Sequence, residues 1–216
     1  MAHTQMEGYF APPKANFKGK VLVLHAWWGL NQTIKDYCNR LAEEGFTVYA
    51  PDVYHGKLTD EIETAEQYSN DLKLHQARID LEQAIQFLLI QEPHTAKNIT
   101  VIGFSLGAFL ALDLSNNHPD LINKVVVYYG TGPDDYTDAK ATYLGHFAEF
   151  DVFEPQSNID ELETALRESN RPYSFHQYPN TGHWFCEPDR LDAFKEDAAE
   201  LAWERTISFL KGELNE

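Results

Sequence analysis

Short runs of β-branched and apolar residues alternate with amphipathic helical stripes along the whole chain, and this alternation limits the architecture more than any single motif. Lys20 to His25 reads KVLVLH, and Phe46 to Ala50 is a second short apolar run closed by Pro51. Both fit strands buried on two faces. Between them, Ile34, Tyr37, Cys38, Leu41 and Ala42 fall on one helical face, with Asn31 or Thr33 as the cap and Gly45 as the stop. A helix is expected between Glu61 and Leu72, and a clearer one where Ala77, Leu81, Ala84, Ile85 and Leu88 share a face, with Pro93 beyond its end. The β-branched run from Asn98 to Phe104 predicts a strand, and Ser105 to Ser115 a helix. Strands follow at Val125 to Tyr129 and Ala141 to Phe147. A helix is marked by Ile159, Leu162, Ala165 and Leu166, a strand by Tyr173 to Tyr178, and a last long helix runs from Leu191 to Leu210. The pattern predicts one α/β domain over residues 1–216, a mostly parallel twisted sheet with helices on both faces. Chemistry in such sheets sits beyond the carboxyl ends of the strands.

Charge and cysteine content narrow the partners. The chain carries 34 acidic against 17 basic residues in 216, a net charge of −17, which disfavours a nucleic-acid partner and an anionic membrane surface. No apolar run approaches the ~18 residues of a membrane span. The N-terminal MAHTQMEGYFAPPKANFKGK has no apolar stretch of the kind a secretory signal needs, and two cysteines, Cys38 and Cys186, make no disulfide framework. The expectation is a cytoplasmic protein. Cys38 falls on the apolar helix face and reads as a core residue. Cys186, three residues after His183, reads as packing or as a substrate-contacting or redox-sensitive thiol.

The strand ending at Phe104 runs into Gly103-Phe104-Ser105-Leu106-Gly107, a G-x-S-x-G between a strand and a helix. Its glycines permit the sharp turn that lifts a serine hydroxyl out of the backbone, although a serine here is also an ordinary helix N-cap. A serine becomes a useful nucleophile only with a base to take its proton and an acid to hold that base. On a turn of this kind the acid and then the histidine follow in chain order. Of the later histidines, His183 lies in a loop after the last strand, whereas His146 and His176 lie inside predicted strands and read as core residues. Asp151 follows a strand-like segment and is the expected acid, with Asp134, Asp135 and Asp138 as competitors. The backbone N–H of Leu106 is one oxyanion donor, and that of Trp27, after an early strand, is the candidate for the second. Trp28, Tyr54, Phe104 and Trp184 flank these segments as candidate substrate-binding side chains. No H-E-x-x-H or C-x-x-C spacing suggests a metal.

The segments HAWWGLN from His25, PDVYHG from Pro51, GFSLGA from Gly103, YYGTG from Tyr128, GHFAEFDVFEP from Gly145 and YPNTGHWF from Tyr178 together resemble the dienelactone hydrolase family of α/β hydrolases. The resemblance covers nearly the whole chain. It implies the α/β-hydrolase fold, Ser105 as nucleophile, Asp151 as acid, His183 as base, a second oxyanion donor at Trp27, and no metal or organic cofactor. Three positions depart from the name-giving enzymes. Their cysteine nucleophile is Ser105 here, their glutamate beside the oxyanion loop is Ala26, and an arginine four residues after the histidine is Glu187. A carboxylate substrate would meet like charge at Glu187, so the expected substrate is a neutral or cationic small-molecule ester, lactone or thioester. The activity expected is carboxylic ester hydrolysis through an acyl-enzyme. The alternatives are a non-catalytic ligand-binding or interaction module on the same fold, or acyl transfer or perhydrolysis by the same three residues.

Overall fold

A computed structural model describes residues 7–91 and 97–213, and the chain divides into two compact units, Met1–Ile99 and Thr100–Glu216. Pro93, expected to stop a helix, lies outside the described residues, as do the first six residues of the N-terminal stretch.

In the first unit, β1 (Gly8–Ala11), β2 (Gly19–Leu24) and β3 (Phe46–Pro51) order as β1-β3-β2. β2 and β3 run parallel, and β1 pairs antiparallel with β3. β1 is absent from the sequence expectation, because four residues of GYFA, mostly part-exposed, carry neither length nor alternation. It is held from the side instead, by the Tyr9 hydroxyl donating to Asn39 Oδ1 at 3.0 Å and by Phe10 packing edge-on to Phe87. Helix α1 (Gln32–Glu43) starts at Asn31, whose side chain accepts from the Ile34 N–H at 3.1 Å. It buries Ile34, Cys38, Leu41 and Ala42 against β3. Helix α2 spans Ile62–Asp71, and α3 (Leu74–Leu89) buries all five expected apolar positions together with Asp80.

The second unit holds all of β4 (Ile99–Phe104) after its first residue, together with β5 (Ile122–Tyr128), β6 (Thr142–Ala148) and β7 (Tyr173–Tyr178), adjacent in that order, with β5–β6 and β6–β7 parallel. Parallel pairing needs crossovers: α5 (Gln156–Glu168) connects β6 to β7, residues 129–141 connect β5 to β6 without a helix, and α4 (Leu106–Asn117) lies between β4 and β5 in the chain. α4 is buried on nearly every side, as its LGAFLALDL run requires. The final helix, α6, covers Glu196–Lys211 rather than starting at Leu191. Residues 191–193 form a turn, the Ala193 and Phe194 N–H groups donate to the Arg190 carbonyl, and Leu191 is 89% exposed, so nothing buries it into the helical stripe.

A polar chain ties this unit together. Thr206 of α6 meets the Tyr128 hydroxyl at 2.7 Å and His146 Nε2 at 2.9 Å, and His146 Nδ1 meets the Tyr178 hydroxyl at 2.8 Å. Burial holds His146 well below the usual histidine range, so it is a neutral structural imidazole. His146 is thus a core histidine, and His176, on β7, is half-buried.

Just beyond β5, Gly130 lies so close to the turn at Ser105 that a Cβ there would sit 2.6 Å from the Ser105 carbonyl oxygen and 2.8 Å from Ala108 Cβ. Gly130→Ala should therefore cost about 1–3 kcal/mol of stability through backbone displacement. Chemical denaturation checks this, and an unchanged unfolding midpoint would refute the close approach.

Candidate active site

All six residues of β4 are buried, and the strand delivers Ser105 at its end in a strained conformation, φ 50° and ψ −112°. A bulky or β-branched residue would resist that geometry. A Cβ on Gly103 would collide with the Gly107 carbonyl, so the turn can close only with glycine there. The backbone of Ser105 is pinned on both sides: its N–H donates to the Tyr128 carbonyl at 2.9 Å, and its carbonyl accepts from Ala108 N–H at 2.8 Å. Its side chain does not cap α4. The hydroxyl instead lies 2.8 Å from His183 Nε2.

His183 is carried by the turn after β7, and Asp151 by the loop after β6. The two loops are laced together. Phe150 N–H donates to the Thr181 carbonyl at 3.0 Å, Asn180 N–H donates to Glu149 Oε2 at 2.7 Å, and the Thr181 hydroxyl donates to the Tyr178 carbonyl at 2.6 Å. His183 Nδ1 thereby reaches Asp151 Oδ2 at 2.7 Å, with both side chains at most 5% exposed. The other oxygen, Asp151 Oδ1, accepts from the Phe153 and Glu154 N–H groups, each at 2.9 Å. A carboxylate with three donors is held in one orientation. Nδ1 of His183 must donate to that carboxylate, which leaves Nε2 as the acceptor for the Ser105 hydroxyl. Ser105, Asp151 and His183 are therefore brought together in the expected order. The competitors are not in this relay: Asp135 is exposed and occupied by the Thr137 N–H and hydroxyl.

Two groups of residues lie around the relay, and all of them but Trp184 are without a sequence signal. Glu154 accepts from the Thr131 N–H at 2.9 Å, from the Thr131 hydroxyl at 3.0 Å and from Asn158 at 2.7 Å, and so ties the loop after β5 to the loop that bears Asp151. Burial raises its carboxyl above the usual range against those hydrogen bonds. The imidazole of His183 is walled by aromatics: Tyr129 at 4.9 Å, Trp184 at 5.0 Å and Phe153 at 5.3 Å between ring centroids. Of these only Trp184 was foreseen.

Glu187 overturns one expectation. Its carboxyl is 1% exposed and accepts from the Tyr129 hydroxyl at 2.8 Å. Burial outweighs that bond and pushes the carboxyl up to about 8. It is protonated at neutral pH, so it does not present the like charge on which a preference against anionic substrates was based. Cys186 beside it is likewise driven upward by burial, then by Glu187, and is a thiol rather than a thiolate. Cys38 is buried in α1, as expected, and both cysteines are free.

Leu106 is the first residue of α4, where backbone N–H groups have no partner within the helix, as an oxyanion donor requires. Phe104 is 2% exposed and stacks on Tyr128 at 4.5 Å, so it underlies the turn as core. Trp27, Trp28 and Tyr54 belong to the first unit. Trp27 follows β2 in a turn closed by Gly29 N–H on the Ala26 carbonyl, and Trp28 and Tyr54 are 1% and 5% exposed. Among the described residues no group of three or more His, Cys, Asp or Glu could hold a metal, and no helix is long and apolar enough to cross a membrane.

A strand, a strained serine and a helix, followed by an acid and a histidine on later strand ends, define the α/β hydrolases. The chain belongs to the dienelactone hydrolase family, whose family model matches residues 6–214. It is 29% identical over 216 residues to protein usf of Aquifex pyrophilus, covering 96% of this chain and 93% of that one. A protein of Aquifex aeolicus with the provisional name carboxymethylenebutenolidase is 26% identical over the same two shares. Among solved structures, a Klebsiella pneumoniae protein provisionally assigned as a dienelactone hydrolase superposes with a TM-score of 0.84 at 24% identity, covering 95% of this chain and 92% of that one. A dienelactone hydrolase-like promiscuous phosphotriesterase from metagenomic libraries superposes with a TM-score of 0.81 at 17% identity, covering 96% and 98%. The fold is thus that of the α/β hydrolases, and the protein is a dienelactone hydrolase-like enzyme.

The state of Glu187 has a consequence for stability. Folded, it stays protonated up to pH about 8, whereas unfolded it ionises near its ordinary 4.5. Across that window the unfolded chain binds fewer protons, so stability falls as pH rises. Glu187→Gln should remove this decline, with a melting temperature above that of the parent at pH 8 and a gap that closes towards pH 4.5. A gap of constant size across that range in thermal melts would contradict a buried neutral carboxyl.

Proposed function

We propose that the protein is a serine hydrolase that cleaves a small neutral carboxylic ester, lactone or thioester through an acyl-enzyme. The observation that carries the reading is the hydrogen-bonded relay from Ser105 Oγ to His183 Nε2 and from His183 Nδ1 to Asp151 Oδ2, with the serine on a strained turn that serves no capping role. Ser105 Oγ attacks the carbonyl carbon while its proton passes to His183 Nε2. Asp151 keeps its charge and stabilises the imidazolium. The tetrahedral oxyanion is held by the Leu106 N–H and, on the family resemblance, by that of Trp27. Nε2 then returns the proton to the departing alcohol or thiol, and water repeats the sequence on the acyl-enzyme to release the acid. The residues form one α/β-hydrolase domain in this reading, with no cofactor in any step. The free cysteines agree with a reducing compartment, and we assign the enzyme to the cytoplasm.

Neutrality of the substrate rests on the walls of the site. The rings around His183 are Tyr129, Phe153 and Trp184, and Glu187 supplies no charge for or against a ligand at neutral pH. A carboxylate pressed against such walls loses hydration without gaining a counter-ion. Nothing at Glu187 favours a cation either, so the neutral member of the expected pair is retained.

Replacing Ser105 by Ala should lower turnover of a short p-nitrophenyl ester by about three orders of magnitude or more, and Asp151→Asn by a comparable factor through the wrong imidazole tautomer. A fluorophosphonate should label the parent at Ser105. Folded parent protein that neither labels nor turns over would favour a binding module over an enzyme. In a matched pair of esters, kcat/KM for the neutral member should exceed that for the carboxylate-bearing member by about tenfold or more. A preference for the anion would overturn the assignment of substrate charge.

A further inference from the structure

Glu187 is the most buried carboxyl outside the relay, and its one side-chain hydrogen bond leads back to the relay through a single residue. Its partner, Tyr129, is fully buried at the end of β5 with φ 41°, a left-handed conformation that a bulky aromatic adopts only when its surroundings fix it. Three contacts do so. The Tyr129 N–H donates to the His146 carbonyl at 2.8 Å, its ring packs on Phe185 at 5.6 Å, and its hydroxyl donates to Glu187 Oε1 at 2.8 Å. The other face of this arrangement is His183, whose ring lies 4.9 Å from that of Tyr129. Glu187 also closes the turn that carries the histidine, because its N–H donates to the Trp184 carbonyl at 2.8 Å and its own carbonyl accepts from Arg190 N–H at 2.9 Å. Trp184 in that turn is itself left-handed, at φ 65°.

We propose that Glu187 is a positioning residue for His183: its buried carboxyl holds the Tyr129 hydroxyl and so seats the ring that keeps the imidazole over Ser105. This rests on the reading of Ser105 and His183 as nucleophile and base. Glu187 touches no reacting atom and acts only through Tyr129 and through the turn it closes.

The arrangement is sensitive to the charge on the carboxyl. Facing it are the Tyr129 hydroxyl from the end of β5 and, on its own turn, Cys186, Asp189 and Arg190, while Tyr128 and His183 adjoin Tyr129. The Tyr129 bond and Arg190 favour the anion, whereas burial and Asp189 oppose it, and burial is the largest influence. When the proton leaves, near pH 8, the buried carboxylate has only the Tyr129 hydroxyl and Arg190 in its favour, too little compensation for its burial. The turn from Trp184 to Arg190 must then admit water, and His183 loses its seat. Activity falls on the alkaline side even though a neutral imidazole is the form a base needs.

The test is the pH dependence, from pH 6 to 9.5, of two readouts on the full chain: the rate of fluorophosphonate labelling at Ser105 and kcat for a short neutral p-nitrophenyl ester corrected for spontaneous hydrolysis. The parent should decline through an apparent pKa of about 8, reaching about a tenth of its plateau at pH 9. Glu187→Gln keeps an acceptor for the Tyr129 hydroxyl but has no proton to lose. It should retain kcat at pH 7 within about threefold, leave KM unchanged and show no decline up to pH 9. Tyr129→Phe removes the bond that favours the anion. Its kcat should fall about tenfold at pH 7, and its alkaline limb should move to higher pH. A Glu187→Gln variant that keeps the parental alkaline limb overturns the positioning role. A folded parent that fails to label at Ser105 overturns the serine reading beneath it, so the two failures are told apart by the parent alone.

Discussion

One backbone constraint organises the second unit: a serine held at φ 50° and ψ −112° between a buried strand and a buried helix. Such a conformation is costly, of order 1–3 kcal/mol, and persists only where its surroundings leave no alternative. Gly103 lets the helix turn fold back on the strand, Gly130 lets the end of β5 lie against the serine carbonyl, and the Tyr128 carbonyl fixes the serine N–H. The strain projects the hydroxyl away from its routine role as a helix cap and towards His183. A G-x-S-x-G reads as chemistry, rather than as capping, because of that diversion.

The same unit contains identical side-chain types put to different uses by burial and hydrogen bonding alone. His146 lies in β6 and His183 follows the neighbouring β7, yet the first is locked between Tyr178 and Thr206 and kept neutral, while the second has a carboxylate on one nitrogen and a serine on the other. Asp151 accepts from two backbone N–H groups and an imidazole. Glu187 accepts from one tyrosine and is left largely to the cost of burial. Residue identity alone predicts none of these states, because the deciding quantity is how many donors reach each carboxyl once water has gone.

That explains what was legible in the sequence and what was not. Long periodic stripes such as those of α1 and α3 fix a helix and its buried face, and β-branched runs such as NITVIGF fix a strand, because the burial pattern is written into the period. β1 escaped because four residues cannot display a period, and the start of α6 was misjudged because Leu191 continues an apolar stripe that nothing covers. At the site, the partners of Ser105 were readable from chain order. Tyr129, Phe153, Glu154 and the state of Glu187 were not, since each depends on a loop-to-loop contact 20 or more residues away in sequence or on a left-handed residue that no composition signals.

The mistaken charge at Glu187 is the most instructive of these, since correcting it makes the departures from the name-giving enzymes consistent with one another. A thiol nucleophile can be stored as an ion and benefits from charged neighbours that regulate it. A serine hydroxyl is never ionised at rest, so its reactivity depends wholly on a neutral base kept within hydrogen-bonding distance. Ala26 brings no charge where those enzymes carry a glutamate, and Glu187 is protonated where they carry an arginine. The one charge hydrogen-bonded to the His183 imidazole is then Asp151. An acidic chain of net charge −17 thus sets three aromatic rings around the imidazole of its relay, with Glu187 buried behind one of them.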